Sequence, residues 1–132
     1  MKGINETSAL ATATILAMFL SSCSQQKVNG VLTTELFRDE NVRLAKLEID
    51  PHATVPPHIH PGVEEGYVAE GALMMQSGDG TCTPFKQYET FRVPAGTRMT
   101  VTNNTDKVTV LYSLIAGLHG KPHIQPVPGP TC

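Results

Sequence analysis

The sequence predicts an all-β domain of sandwich or barrel type. Three observations carry the prediction. Past residue 22, no segment repeats its apolar residues at the helical spacing. Short runs rich in Val, Thr, Leu and Phe recur instead, each closed by a turn signal. Gly (11) and Pro (10) are abundant among 132 residues, Trp is absent and aromatic residues are 5%, which suits strands joined by turns better than a helical bundle. The length favours one domain. A net charge of −2 leaves no basic footprint, which excludes a nucleic-acid partner.

The N-terminal segment stands apart from the domain. Met1-Lys2 and a polar spacer lead into an apolar run at 9–20, too short to span a bilayer comfortably as a helix. The run ends in Leu20-Ser21-Ser22-Cys23, which resembles the bacterial lipobox of Leu, two small residues and Cys. That resemblance implies cleavage before Cys23, lipidation of Cys23, and a protein anchored in the bacterial cell envelope, on the periplasmic face or the cell surface. The alternative is an ordinary secretory signal with an incidental Cys. Residues 1–22 are thus expected as signal peptide and 23–30 as a polar, lipidated tether.

From residue 31 the pattern is β. Strands are expected at 31–37 and 42–49, around the charged turn Arg38-Asp39-Glu40-Asn41. Residues 54–60 should be extended, since Pro56 and Pro57 forbid helix. Strands at 64–70 and 72–76 flank Gly71, and Gly78-Asp79-Gly80 is a turn. Runs at 85–87 and 90–93 flank another turn. Pro94-Ala95-Gly96 turns into a strand at 99–103, Asn103-Asn104-Thr105-Asp106 turns again, and 107–115 closes the series. The Pro-rich tail, 119–132, should lie extended over the barrel or reach a neighbouring subunit.

Chemistry concentrates at His58, His60 and Glu64. Alternate residues of a strand face the same side, so His58 and His60 aim both imidazoles at one point. The Pro61-Gly62 turn brings Glu64 back towards them. Two imidazoles and one carboxylate suit non-haem Fe(II), Mn(II), Zn(II) or Ni(II). A lone His is more often a surface or satisfied polar group, and His52, His119 and His123 are read that way, the last two as an adventitious site at most. Tyr67 is expected to fill the interior or sit at the pocket mouth, and Glu65, Arg92 and Arg98 to be solvated charges.

The spacing resembles the first motif of the cupin family: His-x-His, three or four residues, Glu, six residues, Gly, here His58, His60, Glu64 and Gly71. The family's leading Gly is replaced by His52. The second cupin motif is Gly, five residues, Pro-x-Gly, two residues, His, three residues, Asn. It is met by Pro94, Gly96 and Asn103, with Tyr88 at the first Gly and Met99 at the His. The resemblance covers residues 31–118. It implies a jelly-roll β-barrel (a double-stranded β-helix), a divalent metal and a homodimer. Alternation turns Met99 and Val101 inward and Arg98, Thr100 and Thr102 outward, so a thioether stands where the family has an imidazole. Met99 either fills the cavity or, being soft, ligates copper.

With Cys23 lipidated, Cys82 and Cys132 remain as a candidate disulfide in an oxidising compartment or as two free thiols. Three functions are compatible with these residues. One is a metal-dependent enzyme of dioxygenase, isomerase or lyase type on a small organic substrate. Another is a non-catalytic, lipid-anchored binder of a metal or small molecule. The third is an interaction domain with a degenerate site.

Overall fold

The computed structural model describes residues 24–132; Cys23 and the apolar run before it lie outside the described residues. Every regular element among those residues is a strand: β1 (Gln25–Val28), β2 (Val31–Arg38), β3 (Val42–Ile49), β4 (Thr54–Ile59), β5 (Val63–Glu70), β6 (Ala72–Ser77), β7 (Thr81–Lys86), β8 (Thr90–Val93), β9 (Met99–Thr102), β10 (Thr109–Ala116) and β11 (Gln125–Pro126). They form two antiparallel sheets. One is six-stranded in the order β1-β2-β3-β10-β5-β8, the other five-stranded in the order β11-β4-β9-β6-β7. Consecutive strands lie in different sheets at several points, which is the jelly-roll connectivity the sequence implies.

Alternation puts one side of each strand into the space between the sheets. Val31, Ile49, Val68 and Leu111 from the six-stranded sheet meet Leu73, Met75, Met99 and Val101 from the other. Each such side chain taken from water contributes on the order of 1.5–3 kcal/mol. Gly66 faces this interior too, because a Cβ there would strike the Phe91 ring lying across it. Asn103 is fully buried beyond β9. Its amide donates to the carbonyls of Ile49, Asp50 and Lys107 at 2.9, 3.1 and 2.7 Å, and its oxygen accepts from Thr105 N at 3.0 Å. One side chain thus closes the β9–β10 turn and ties it to the end of β3.

Two segments carry strands that the sequence reading did not place. The tether expected at 23–30 contains β1, which pairs with β2 from Gln25↔Thr34 to Val28↔Val31. Its side chains are all exposed, so backbone pairing and two side-chain contacts, Lys27 to Asp50 at 2.8 Å and Gln25 to Thr34 at 3.3 Å, hold it and no apolar pattern announces it. The tail expected at 119–132 carries β11, which adds to β4 at Gln125↔Ile59 and Pro126↔His58. Beyond it Val127 N donates to Pro57 O at 3.1 Å, and the Arg98 guanidinium holds the carbonyls of Pro128 and Pro130. The chain ends in a bond between Cys132 and Cys82 of β7, with Cα atoms 5.9 Å apart. The tail therefore crosses its own sheet from one edge to the other.

Both positions where the family motif has Gly and this chain does not are left-handed: His52 at φ 61° and Tyr88 at φ 72°. An L side chain there costs about 1–2 kcal/mol. Tyr88 is 71% exposed and has little contact to lose. Tyr88→Gly is therefore expected to stabilise the domain by about 0.5–1 kcal/mol, after the greater freedom of Gly in the unfolded chain is subtracted. A rise in the urea midpoint at unchanged slope measures it.

Candidate functional site

His58 reaches the interior through a bulge. In the β4–β9 pairing Val55 faces Val101 and His58 faces Met99, so Pro56 and Pro57 together span the place of one residue. Neither proline has an N–H to give the ladder, which is why the extra residue is absorbed there. Strict alternation counted from inward-facing Val55 would turn His58 out; the bulge brings it back in. His58 (4% exposed), His60 (6%) and Glu64 (4%) are all buried and line one cavity.

The hydrogen bonds fix which ring nitrogens carry protons. His58 Nδ1 lies 2.6 Å from Pro56 O, and His60 Nδ1 is bonded to His123 O. A carbonyl only accepts, so both Nδ1 atoms must donate. In the neutral rings both Nε2 atoms are then bare. They face each other at 3.1 Å, and His60 Nε2 stands 3.5 Å from Glu64 Oε2. Glu64 Oε1 accepts from Ser113 Oγ at 2.5 Å, while Oε2 is buried with no hydrogen-bond partner among the described residues.

Burial pushes the Glu64 carboxyl up. Contact with His60, the charge of His60, the Ser113 hydroxyl and the charge of His58 outweigh it, so the carboxyl is held below its ordinary value. His58 is held below its ordinary value chiefly by burial, with His60 adding and the Pro56 carbonyl and Glu64 opposing. A carboxylate converges with two imidazole Nε2 atoms, each of which offers a lone pair when its ring is neutral. Among the described residues, no group of three or more His, Cys, Asp or Glu side chains is arranged to hold a metal ion.

Met99 is buried at the same cavity, opposite His58 across the β4–β9 ladder, so it faces inward as alternation requires. The cavity is about 110 Å³, with walls that are mostly Val, Leu, Ile and Met side chains.

Four residues of the site were not foreseen. Ser113 arrives on β10, where it pairs with Gly66, two residues along β5 from Glu64. Arg43 lies on the inward parity of β3 with Ala45 and Ile49, and its Nε donates to Glu35 Oε2 at 3.0 Å. A charge among inward apolar positions was the signal that could have marked it. His123 and Ile124 come from the tail and line the cavity. His123, read from sequence as a surface residue, supplies the carbonyl to His60. Its ring Nδ1 accepts from Arg38 Nη2 at 2.7 Å. Its pKa is lowered to about 4 by burial first, then by Arg43, Arg38 and His60 against Glu35, so the ring is neutral near pH 7.

Other polar residues lie outside the site. His52 is exposed and bonds Asp106 at 2.9 Å. Glu65 pairs with Arg92 at 2.7 Å. Tyr67 is not at the pocket mouth: next to inward-facing Gly66, it points to the outer face of the six-stranded sheet with Tyr112 and Leu114.

The cupin domain family profile matches residues 45–115, more than half of the chain. The chain belongs to the cupin family. Solved structures agree on the fold. A double-stranded β-helix protein from Klebsiella pneumoniae aligns with a TM-score of 0.67 at 18% identity, over 76% of this cupin and 87% of that chain. The polyketide cyclase RemF from Streptomyces resistomycificus aligns with a TM-score of 0.67 at 19% identity, over 80% of each chain. A recombinant oxalate oxidase in complex with glycolate gives 0.64 at 23% identity, over 76% of this cupin and 56% of that chain. Likeness at these identities speaks for the fold alone. No curated protein sequence matches this cupin.

Proposed function

We propose that this cupin holds a divalent transition metal on His58, His60 and Glu64, beneath a cavity that takes a small organic molecule. One observation carries the reading: with both rings neutral, three buried acceptors meet with no donor among them. Lone pairs at this range repel unless a cation or a proton lies between them, and burial disfavours the proton on His58. The two separations from His60 Nε2, 3.1 and 3.5 Å, suit a shared ion, although among the described residues no three such side chains are already arranged to hold one. Two ligands each about 2.1 Å from one ion stand about 3.1 Å apart at about 95° and about 3.5 Å apart at about 113°. Fe, Mn, Zn and Ni fit the donor set, and Cu fits if Met99 joins it.

A bound ion would supply Lewis acidity to a ligand oxygen, or electrons for oxygen chemistry if redox-active. The chain's own residues do the rest. Pro56 O and His123 O hold the two rings in one tautomer, as carbonyl partners of ligating imidazoles do. Ser113 fixes one carboxylate oxygen, leaving the other for the ion. The apolar walls limit water around both.

An enzyme of dioxygenase, isomerase or lyase type is one use of such a site. A non-catalytic binder is the other, and Met99 favours it: the soft sulfur replaces a basic ligand. The ionisable side chains at the cavity outside the His/His/Glu cluster are Arg43 and neutral His123, a sparse set for proton transfer. Export with a lipid on Cys23 belongs to the same proposal. The Cys82–Cys132 bond supports it, because such bonds persist in oxidising compartments. So does self-association, to which the exposed apolar Tyr67 and Leu114 would contribute.

The test uses the mature domain without a His-tag, stripped with chelator and titrated with Zn(II), Mn(II), Fe(II) and Cu(I). A metal at a hundredfold excess over its Kd should stabilise the fold by about 2.7 kcal/mol. His58→Ala should abolish that shift. Equal metal response in the wild type and the variant would overturn the reading. Product formation by the loaded protein separates enzyme from binder.

A further inference from the structure

The cavity carries a charge that the His/His/Glu cluster does not use. Arg43 is buried at its wall, and Arg38 stands close by at the His123 ring. Both guanidinium groups share one carboxylate, Glu35, at 3.0 Å from Arg43 and 3.3 Å from Arg38. Two cations on one anion leave one positive charge at this wall, and the cavity's other carboxylate, Glu64, is turned to Ser113 and His60. His123 lies between them and the metal-ligand candidates, its ring Nδ1 accepting from Arg38 Nη2 at 2.7 Å. A buried arginine at a ligand cavity is costly unless an anion completes its environment. Of the anions, a planar carboxylate matches the guanidinium fork best.

The remaining walls are apolar, and they set the rest of the ligand. The cavity, about 110 Å³, is somewhat smaller than the roughly 150 Å³ that accommodates a benzene molecule. We propose that the cavity binds a short-chain aliphatic monocarboxylate of about four to six heavy atoms, and that Arg43 is the residue that holds its carboxylate. This deepens the small-molecule reading above and rests on it only for the choice of cavity. The anion subsite stands on Arg43 whether or not a metal is held.

The experiment measures butyrate and butyramide binding by calorimetry to the mature domain, chelator-treated and zinc-loaded. Butyrate should bind in at least one of these states, and butyramide, equal in shape and uncharged, should bind at least about 30-fold more weakly. Arg43→Met should lower butyrate affinity by at least about 30-fold and leave the zinc titration unchanged. Arg43→Lys should recover part of the loss, since it returns the charge without the fork. If Arg43→Met alone does not fold, the paired variant Glu35→Gln/Arg43→Met removes both charges together and should fold, bind zinc and fail to bind butyrate. Equal binding of acid and amide, or undiminished butyrate affinity in a folded Arg43 variant, overturns the proposal. Zinc binding without butyrate binding in the wild type removes the anion subsite and leaves the metal reading; butyrate binding without zinc binding does the reverse.

Discussion

Met99→His is expected to tighten divalent-metal binding by at least about tenfold. Met99 sits opposite His58 on the neighbouring strand, buried, at the wall of the same cavity. A thioether is a weak partner for Zn(II), Mn(II) or Fe(II), and an imidazole is a strong one. Changing even an outer partner of a metal ligand commonly moves affinity 10–100-fold, so a new direct ligand should do no less. The sign of the stability change should differ between states. Without metal, a buried imidazole lacking a partner costs about 1–3 kcal/mol, so the stripped variant melts below the wild type. With metal, it melts above. Metal titration and thermal unfolding with and without chelator check both halves. Unchanged affinity together with unchanged stripped-state stability would mean that residue 99 does not reach the ligands, and that the sulfur only fills space.

Breaking the Cys82–Cys132 bond is expected to have the largest effect on the fold. The bond closes a segment with a sequence separation of 50. Chain entropy gives such a closure about 4 kcal/mol, a large part of the 5–15 kcal/mol that holds a domain together. The paired variant Cys82→Ser/Cys132→Ser should lose about that much in urea unfolding. The loss should also be felt at the site. The tail that this bond anchors carries the His123 carbonyl, which orients His60. Loosening an outer partner of this kind lowers metal affinity about 10–100-fold. A variant within 1 kcal/mol of the wild type and unchanged in metal binding would show that β11 and Arg98 hold the tail unaided.

How much could be read from the residues depends on which force placed them. Strands buried on one face announce themselves by alternation, and β3 begins and ends at Val42 and Ile49 as the pattern requires. His58, His60 and Glu64 were legible because ligand types at this spacing are rare, and they do meet. What could not be read was placed by backbone pairing or by contacts distant in sequence. The Gln25–Val28 edge strand has no buried side chain to create a pattern. The first half of β7 was hidden by Pro84, which an edge strand tolerates and a central one does not. His123 reaches His60 across 63 positions, and nothing local to the tail marks it. Arg43 stood in plain view on an inward parity, and the rule that charges face water concealed it.

The arrangement of the outermost strands bears on how this protein behaves at high concentration. The six-stranded sheet ends in two four-residue strands, β1 and β8. The five-stranded sheet ends in β11, two residues with Pro126, and in β7, interrupted by Pro84. A foreign segment seeking a backbone ladder to extend finds either too few donors or a missing one. Misassembly by strand addition, the common hazard of open sheets, is thereby disfavoured at the four sheet margins among the described residues.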